Sequence, residues 1–113
     1  MPVRYCPDRG DIVWLSFDPH AGHEQAGRRP ALILSPRAYN RKVGLALLCP
    51  ITSQRKGYPF EVDLPEGLEV PGVVVADQVK STDWRVRRAD HCCTPAEDVL
   101  MEVIGKLQTL LAV

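Results

Sequence analysis

The sequence lacks any apolar run that approaches the roughly 20 residues a membrane-spanning helix needs. Residues 1–6 also lack the apolar stretch of a secretory signal. The four cysteines (Cys6, Cys49, Cys92 and Cys93) show no Cys-x-x-Cys spacing, and two of them are adjacent, which disfavours an ordinary disulfide or a zinc site. We therefore expect a cytoplasmic protein with reduced, mostly structural thiols and with no metal or cofactor.

Internal repeats, linkers and low-complexity segments are also missing from the chain. Its 113 residues are enough for one hydrophobic core and too few for two. The sequence therefore predicts a single domain over residues 1–113.

The formal net charge of zero hides an uneven distribution of charge. Residues 20–60 contain seven lysines and arginines and one acid, residues 61–77 contain five acids and no base, and residues 80–88 contain four bases and one acid. If the basic segments share a face, the protein has a local positive surface suited to a polyanion. The alternative is a chance alternation of solvated faces.

Short apolar or alternating runs predict about five to seven strands. The third strand should place Leu45, Leu47, Cys49 and Ile51 on one side, and Pro50 suggests an edge or a bulge near its end. One helical turn is expected over residues 36–41. The predicted strands cover residues 12–17, 30–35, 45–51, 60–64, 73–76 and 84–87.

The last segment predicts a helix with an apolar stripe. Thr94, Pro95 and Glu97 form the pattern of a capping box, and Glu102 and Lys106 are spaced to pair on the outer face. One helix against several short strands predicts a mainly β fold with a C-terminal α-helix, built as a small, strongly bent antiparallel sheet or barrel. The stripe consists of Leu100, Val103, Ile104, Leu107, Leu110 and Leu111.

Polar residues recur at the ends of the predicted strands. Arg28 and Arg29 precede the second strand, where packing would fix their guanidinium groups to meet a phosphate. In a bent sheet such ends can converge on one rim, where a phosphate would meet arginine donors, a hydroxyl and an amide. The alternative is an ordinary loop with solvated arginines. The other strand-end residues are Thr52, Ser53, Gln54, Lys56, Gly57, Asp77 and Gln78.

A series of motifs in a fixed order resembles the MazF/PemK family of toxins over nearly the whole chain, and the MazF branch in particular. The motifs are Arg4-Tyr5 with Pro7-Asp8, Gly10-Asp11, Phe17-Asp18-Pro19, Glu24-Gln25-Ala26-Gly27 with Arg29-Pro30-Ala31, Leu34-Ser35-Pro36, Tyr39-Asn40, Thr52 with Gln54, Lys56-Gly57-Tyr58-Pro59-Phe60-Glu61-Val62 and Asp77-Gln78-Val79-Lys80-Ser81.

This resemblance implies a homodimer with an SH3-like, CcdB-like barrel fold and a C-terminal helix. It also implies a metal-independent, sequence-specific endoribonuclease that acts on single-stranded RNA, an mRNA interferase. A cognate antitoxin of the MazE type is implied too, with an acidic tail that lies over the basic loops. Competing interpretations are a non-catalytic CcdB-like toxin and an SH3-like binding module on the same fold.

The implied reaction uses the ribose 2′-hydroxyl as nucleophile and leaves 2′,3′-cyclic phosphate and 5′-hydroxyl ends. The resemblance assigns the catalytic duties to Arg29 and Thr52. A guanidinium titrates at about 12.5 or above and a hydroxyl is a poor base, so neither suits proton transfer near neutrality. We therefore predict that Arg29 stabilises charge, that Thr52 positions the phosphate or the 2′-hydroxyl, and that Glu24 or His23 moves protons. Alternatively, Glu24 pairs with an arginine.

The PemK branch implies a different scheme, with a histidine near His23, an aspartate at Asp77 and an arginine where this chain has Val75. Because Val75 supplies no charge, we favour the Arg29 and Thr52 scheme, with Asp77 reading a base or holding a loop. Trp14 and Trp84 are expected to pack, with base stacking as the alternative for Trp84. The expected RNA contacts are Gln25, Arg28, Asn40, Ser53, Gln54, Lys56, Asp77, Gln78 and Lys80.

Overall fold

The computed structural model describes residues 5–16 and 27–111. Within these two ranges the chain forms seven strands and two helices. The helices are α1 (Arg37–Val43) and α2 (Glu97–Leu111). The strands are β1 (Ile12–Ser16), β2 (Arg28–Ile33), β3 (Ala46–Thr52), β4 (Glu61–Asp63), β5 (Val73–Val75), β6 (Lys80–Thr82) and β7 (Asp90–Cys93).

The strands form a sheet in the order β4-β5-β3-β2-β1-β7, and every described pairing is antiparallel. Strand β3 pairs with β2 along one edge and with two different strands along the other. Its first half pairs with β6 and its second half with β5. The sheet turns at this change of partner, which confirms the mainly β fold of bent antiparallel strands with a C-terminal helix.

The apolar side chains form two clusters. Successive residues of a strand face opposite sides, so neighbouring residues of β3 enter different clusters. Cys49 and Ile51 of β3 belong to the first cluster, where they meet residues of β4 and β5 and the inner face of α2. Ala46 and Leu48 belong to the second cluster, with Trp84. Strand β3 is therefore buried on both sides, and its end lies where the two halves of the sheet meet.

Of the two details predicted for the third strand, the shared side of Leu45, Leu47, Cys49 and Ile51 is not contradicted, whereas the sheet edge at Pro50 is wrong. Leu47 is 39% exposed, while its neighbour Leu48 is fully buried. The side of β3 that is buried at Cys49 is no longer covered at Leu47. Pro50 does not lie at a sheet edge, since it pairs with Ala31 of β2. It lies between the β6-paired and β5-paired parts of β3, where a missing N–H costs no hydrogen bond on that side.

The predicted strand over residues 84–87 is also wrong. These residues form a turn, in which Trp84 is buried and donates its Nε1–H to the Asn40 carbonyl oxygen at 2.9 Å. This contact confirms packing rather than base stacking for Trp84. Strands β6 and β7 were missed, because their residues are mostly exposed and show no apolar alternation.

The C-terminal helix is confirmed, but it begins at Glu97 rather than after Thr94. Among the described contacts, the Thr94 hydroxyl donates to Asp11 Oδ1 at 2.9 Å, and none joins it to a backbone N–H of the helix. Lys106 donates to the Pro59 carbonyl oxygen at 2.7 Å instead of pairing with Glu102. The apolar stripe is buried at Leu100 and Val103, partly buried at Ile104 and Leu107, and exposed at Leu110 and Leu111.

The remaining boundaries differ by a few residues. Strand β2 begins at Arg28, two positions earlier than predicted, and α1 extends two residues beyond the single turn expected. In the described part of the chain no helix has the length and apolar character needed to cross a membrane.

Candidate functional site

A cleft of about 700 Å³ opens at the end of β3. Its walls are the final residues of β3, the following loop over residues 53–60, Glu61 at the start of β4, and the end of β5 with Asp77 and Gln78 beyond it. Five of the predicted site residues line it: Thr52, Gln54, Lys56, Asp77 and Gln78. The remaining lining residues are Pro50, Gly57, Tyr58, Pro59, Glu61 and Val75.

Thr52 is the last residue of β3 and is partly buried. Its Oγ1 accepts the backbone N–H of Gln54 at 3.1 Å, which fixes the direction of the hydroxyl. A hydroxyl group combines acceptor lone pairs with one donor hydrogen. Thr52 can therefore accept from the loop and still donate its own proton to a ligand in the cleft.

Arg29 is exposed on β2, the strand next to β3. The pairing of these strands ends at Ala31 and Pro50, with Arg29 two residues before Ala31 on β2 and Thr52 two residues after Pro50 on β3. Arg29 lies outside the residues that line the cleft.

Arg28 is held inside the fold. Its guanidinium donates to Ser16 Oγ at 2.8 Å, to Asp90 Oδ2 at 2.9 Å, and to the carbonyl oxygens of Arg88 at 2.8 Å and Trp14 at 3.2 Å. These bonds connect β2 with β1 and β7. As the neighbour of Arg29 on a strand, Arg28 projects to the opposite face, so its contacts are those of a structural arginine.

Asn40 does not fit the predicted RNA contact, because its side chain is fully buried. Its Oδ1 accepts from Ser35 Oγ at 2.5 Å, and its Nδ2 donates to the carbonyl oxygens of Pro7 at 2.9 Å and Ser35 at 3.0 Å. These hydrogen-bond partners of the Asn40 side chain are all groups of the protein itself. Asn40 therefore fastens α1 to the N-terminal segment.

The other predicted RNA contacts within the described residues, Ser53 and Lys80, do not line the cleft. Ser53 is exposed directly after Thr52, and Lys80 is exposed on β6 opposite Leu48. His23, Glu24 and Gln25 lie outside the described residues.

The sequence reasoning missed Glu61, which organises the loop beside the cleft. Its Oε1 accepts the backbone N–H groups of Gly57 at 3.0 Å and Tyr58 at 3.2 Å, and its Oε2 accepts that of Lys56 at 3.1 Å. Gly57 has φ +75°, a left-handed conformation that lets successive N–H groups converge on one anion. An acid that follows a glycine-containing loop by a few residues was the available signal.

Tyr58 was missed as a site residue as well. Its hydroxyl donates to Asp77 Oδ2 at 2.6 Å, and this hydrogen bond raises the pKa of Tyr58 above its ordinary value. The second oxygen, Asp77 Oδ1, is buried and has no hydrogen-bond partner among the described residues. An ionised carboxylate only accepts, so what this buried oxygen lacks is a donor.

Cys49 lies beneath the cleft rather than in it. Burial, with a smaller contribution from the charge of Asp77, raises the pKa of the Cys49 thiol to about 12. The thiol therefore stays protonated near neutrality, as expected for a structural cysteine. Among the described residues, no group of three or more His, Cys, Asp or Glu side chains is placed to hold a metal ion.

Residues 8–111 match the family described as PemK-like, MazF-like toxin of type II toxin-antitoxin system. The chain belongs to this family.

Characterised relatives resemble the chain over nearly its full length. It is 51% identical to endoribonuclease toxin MazF of Escherichia coli K12 over 111 residues, covering 98% of this chain and 99% of the relative. It is 38% identical to endoribonuclease PemK of Escherichia coli over 109 residues, covering 92% and 81%.

Solved structures agree in fold. A crystal structure of MazF from Deinococcus radiodurans has a TM-score of 0.87 and 59% identity, covering 97% of this chain and 100% of that one. A MazE-MazF crystal structure from the same organism has a TM-score of 0.88 and 54% identity, covering 97% and 99%.

Proposed function

We propose that this protein is a sequence-specific, metal-independent endoribonuclease that cleaves single-stranded RNA, the toxin of a toxin-antitoxin pair. The observation that supports the proposal is the cleft of about 700 Å³ that Thr52 and Lys56 line, with Arg29 exposed on the strand next to β3. The relatives at 51% and 38% identity are both named endoribonucleases.

The cleft suits an unpaired ribonucleotide strand. Lys56 and Gln54 bring an ammonium group and an amide to one wall, and Asp77 and Gln78 bring acceptors and donors to another. Cationic groups hold phosphates without regard to sequence, whereas acceptor side chains such as that of Asp77 can distinguish bases by their amino groups. The cleft thus combines groups that bind the RNA phosphates with groups that distinguish its bases.

The proposed reaction is an internal transesterification. The ribose 2′-oxygen bonds to the adjacent phosphorus, the bond from phosphorus to the 5′-oxygen breaks, and the products are a 2′,3′-cyclic phosphate and a 5′-hydroxyl. The proton lost by the 2′-hydroxyl passes to a base, and the leaving 5′-oxygen receives a proton. Because RNA supplies its own nucleophile, this step needs no metal-bound water.

Arg29 stabilises the negative charge that builds on the phosphoryl oxygens, since its planar guanidinium can donate two parallel hydrogen bonds. Thr52 positions the phosphate or the 2′-hydroxyl with a hydroxyl already oriented by the Gln54 N–H. We assign the proton transfers to Glu24 or His23, whose pKa range suits that task better than Arg29 or Thr52 does.

The partners proposed are single-stranded RNA, a second copy of the chain and a MazE-like antitoxin, all in the cytoplasm. The crystal structures that pair MazE with MazF in Deinococcus radiodurans support the antitoxin. An acidic antitoxin segment would find the same cationic groups that RNA does, so its binding would block cleavage.

The test is cleavage of a long RNA by the purified protein in the presence of a chelator, with mapping of the new 5′-hydroxyl ends. We expect cuts at a short recurring sequence, and none with Arg29→Ala at the same concentration. An intact RNA after exposure to the folded wild-type protein would favour a non-catalytic CcdB-like toxin or an SH3-like binding module.

A further inference from the structure

The loop over residues 53–60 carries two cleft-lining groups that can contact RNA, Gln54 and Lys56, yet it contains no helix and no strand. A segment without regular structure needs other bonds to hold its side chains in place. The described contacts supply such bonds, and they converge on one residue of the neighbouring strand, Glu61.

The Glu61 carboxylate accepts three consecutive backbone N–H groups, those of Lys56, Gly57 and Tyr58. Hydrogen bonds to an ionised acceptor are about twice as strong as those between neutral groups. Three of them on one side chain fix the path of the backbone at Lys56. The direction in which the Lys56 side chain leaves the loop is therefore set by Glu61.

Further contacts hold the same loop at its far end. The Tyr58 hydroxyl binds Asp77, and Lys106 of α2 donates to the Pro59 carbonyl oxygen at 2.7 Å. Neither contact reaches the backbone at Lys56. Glu61 alone among these residues bonds to the N–H group of Lys56 itself.

We propose that Glu61 is a positioning residue for RNA binding, which acts by holding Lys56 at the cleft to meet a phosphate group. This inference rests on the proposed function and assigns the loop's part in it. Glu61 itself carries the wrong charge for a phosphate, so its effect on RNA must pass through the loop that it orders.

Asp63 provides a matched control on the same strand. It lies two residues after Glu61, so it projects to the same face, and it also binds the loop, through an ion pair with Arg55 at 2.8 Å. This pair is largely exposed, with side-chain exposures of 58% and 72%, so it contributes little to the loop's geometry. Asp63→Asn removes a carboxylate from the strand without freeing the N–H groups.

The experiment measures the binding of a short RNA in which the 2′-hydroxyl at a mapped cleavage site is replaced by hydrogen. Binding is followed by fluorescence anisotropy from low to high salt. We expect Glu61→Ala to raise the Kd about tenfold, a loss of the size seen when one charge-assisted contact is removed. Asp63→Asn should change the Kd less than about twofold.

The salt dependence separates positioning from general destabilisation. One phosphate contact to a single strand contributes about 0.7 to the slope of log affinity against log salt. Glu61→Ala and Lys56→Ala should each reduce the slope by about that amount, and the double variant should reduce it no further. A variant that is merely less stable would keep the wild-type slope.

Glu61→Gln supplies a second variant if Glu61→Ala does not fold, because its amide oxygen retains one acceptor. It should fall between the wild type and Glu61→Ala in both Kd and slope. A wild-type Kd and slope in a folded Glu61 variant, with RNA still cleaved, would overturn this inference and leave the proposed function standing. A wild-type protein that neither binds nor cleaves RNA would overturn both.

Discussion

The Tyr58 hydroxyl donates a hydrogen bond to Asp77 Oδ2 at 2.6 Å, which joins the loop after β3 to the end of β5 across the cleft. The two residues lie 19 positions apart in the chain, so the bond exists only in the folded protein. It holds one carboxylate oxygen and leaves the other, Asp77 Oδ1, buried and without a partner among the described residues.

Replacing Tyr58 with phenylalanine should therefore weaken RNA binding more than it weakens the fold. Asp77 loses the donor that orients it, so the Kd should rise by roughly fivefold. The measurement is the Kd for the uncleavable RNA, with the urea unfolding midpoint alongside. Tyr39→Phe, at an exposed tyrosine of α1, is the matched control and should bind as the wild type does.

The same bond predicts that the contribution of Tyr58 to RNA binding is lost at high pH. Because the bond to Asp77 raises the pKa of Tyr58 in the folded state, its contribution is fully present below the unfolded value of about 10 and is lost as the pH rises through the folded value. Wild type and Tyr58→Phe should differ in Kd at pH 8 and converge at strongly alkaline pH, within the range where both stay folded. A constant difference across that range would contradict the assignment.

Arg29 should not be replaceable by lysine, although the charge is kept. An ammonium group cannot donate the two parallel hydrogen bonds of a guanidinium, so kcat should fall by about 100-fold or more, while binding of the uncleavable RNA changes little. The measurement is single-turnover cleavage of a short RNA. Arg41→Lys, an exposed arginine on α1, is expected to stay within about twofold of the wild type.

Asn40 should prove to be a stability residue rather than an RNA contact. Asn40→Ala leaves the buried partner groups on Ser35 and Pro7 unsatisfied, which should lower the free energy of unfolding by about 2 kcal/mol. Urea unfolding measures this, with Arg41→Ala as the exposed neighbour on the same helix. A stable Asn40→Ala protein with a large and selective loss of RNA affinity would restore the sequence-based prediction.

Asp8 should make the free energy of unfolding fall as the pH is lowered. The backbone N–H groups of Arg37 and Arg9 each donate to Asp8 Oδ1 at 2.9 Å. These bonds lower the pKa of Asp8, and the bond from Arg37 contributes most. The contribution is therefore present above the unfolded pKa of about 3.9 and is lost as the pH falls through the folded value. Asp8→Asn should flatten the decline of the urea midpoint below about pH 4. Glu66→Gln, at an exposed turn residue, should keep the wild-type decline.

The elements that sequence reasoning placed well share one physical property. Strand β1, strand β5 and the first half of α2 bury several large apolar side chains each, and the free energy of that burial is about 25 cal/mol per Å² whatever the neighbours are. Strands β6 and β7 bury little, so their state depends on hydrogen bonds to β3 and β1 that no local pattern reveals.

The site residues also divide into those that sequence reasoning selected and those that it missed. Residue types and strand ends were sufficient to select Thr52, Gln54, Lys56, Asp77 and Gln78, and these residues do line one cleft. The contacts that hold them, from Glu61 and Tyr58, were not foreseen. Each of those contacts depends on where two separate segments meet in space.

The sequence by itself determined the mainly β class, the C-terminal helix and which strand ends carry polar chemistry, because apolar spacing and residue type are local properties. Only the tertiary structure decided that Arg28 binds groups of β1 and β7, that Asn40 is buried, and that Thr52 lines a cleft. Arg28 meets Asp90 from 62 positions away and Asn40 meets Pro7 from 33. Partners so distant in the chain are selected by the register and bend of the sheet, which arise only when all the strands pack together.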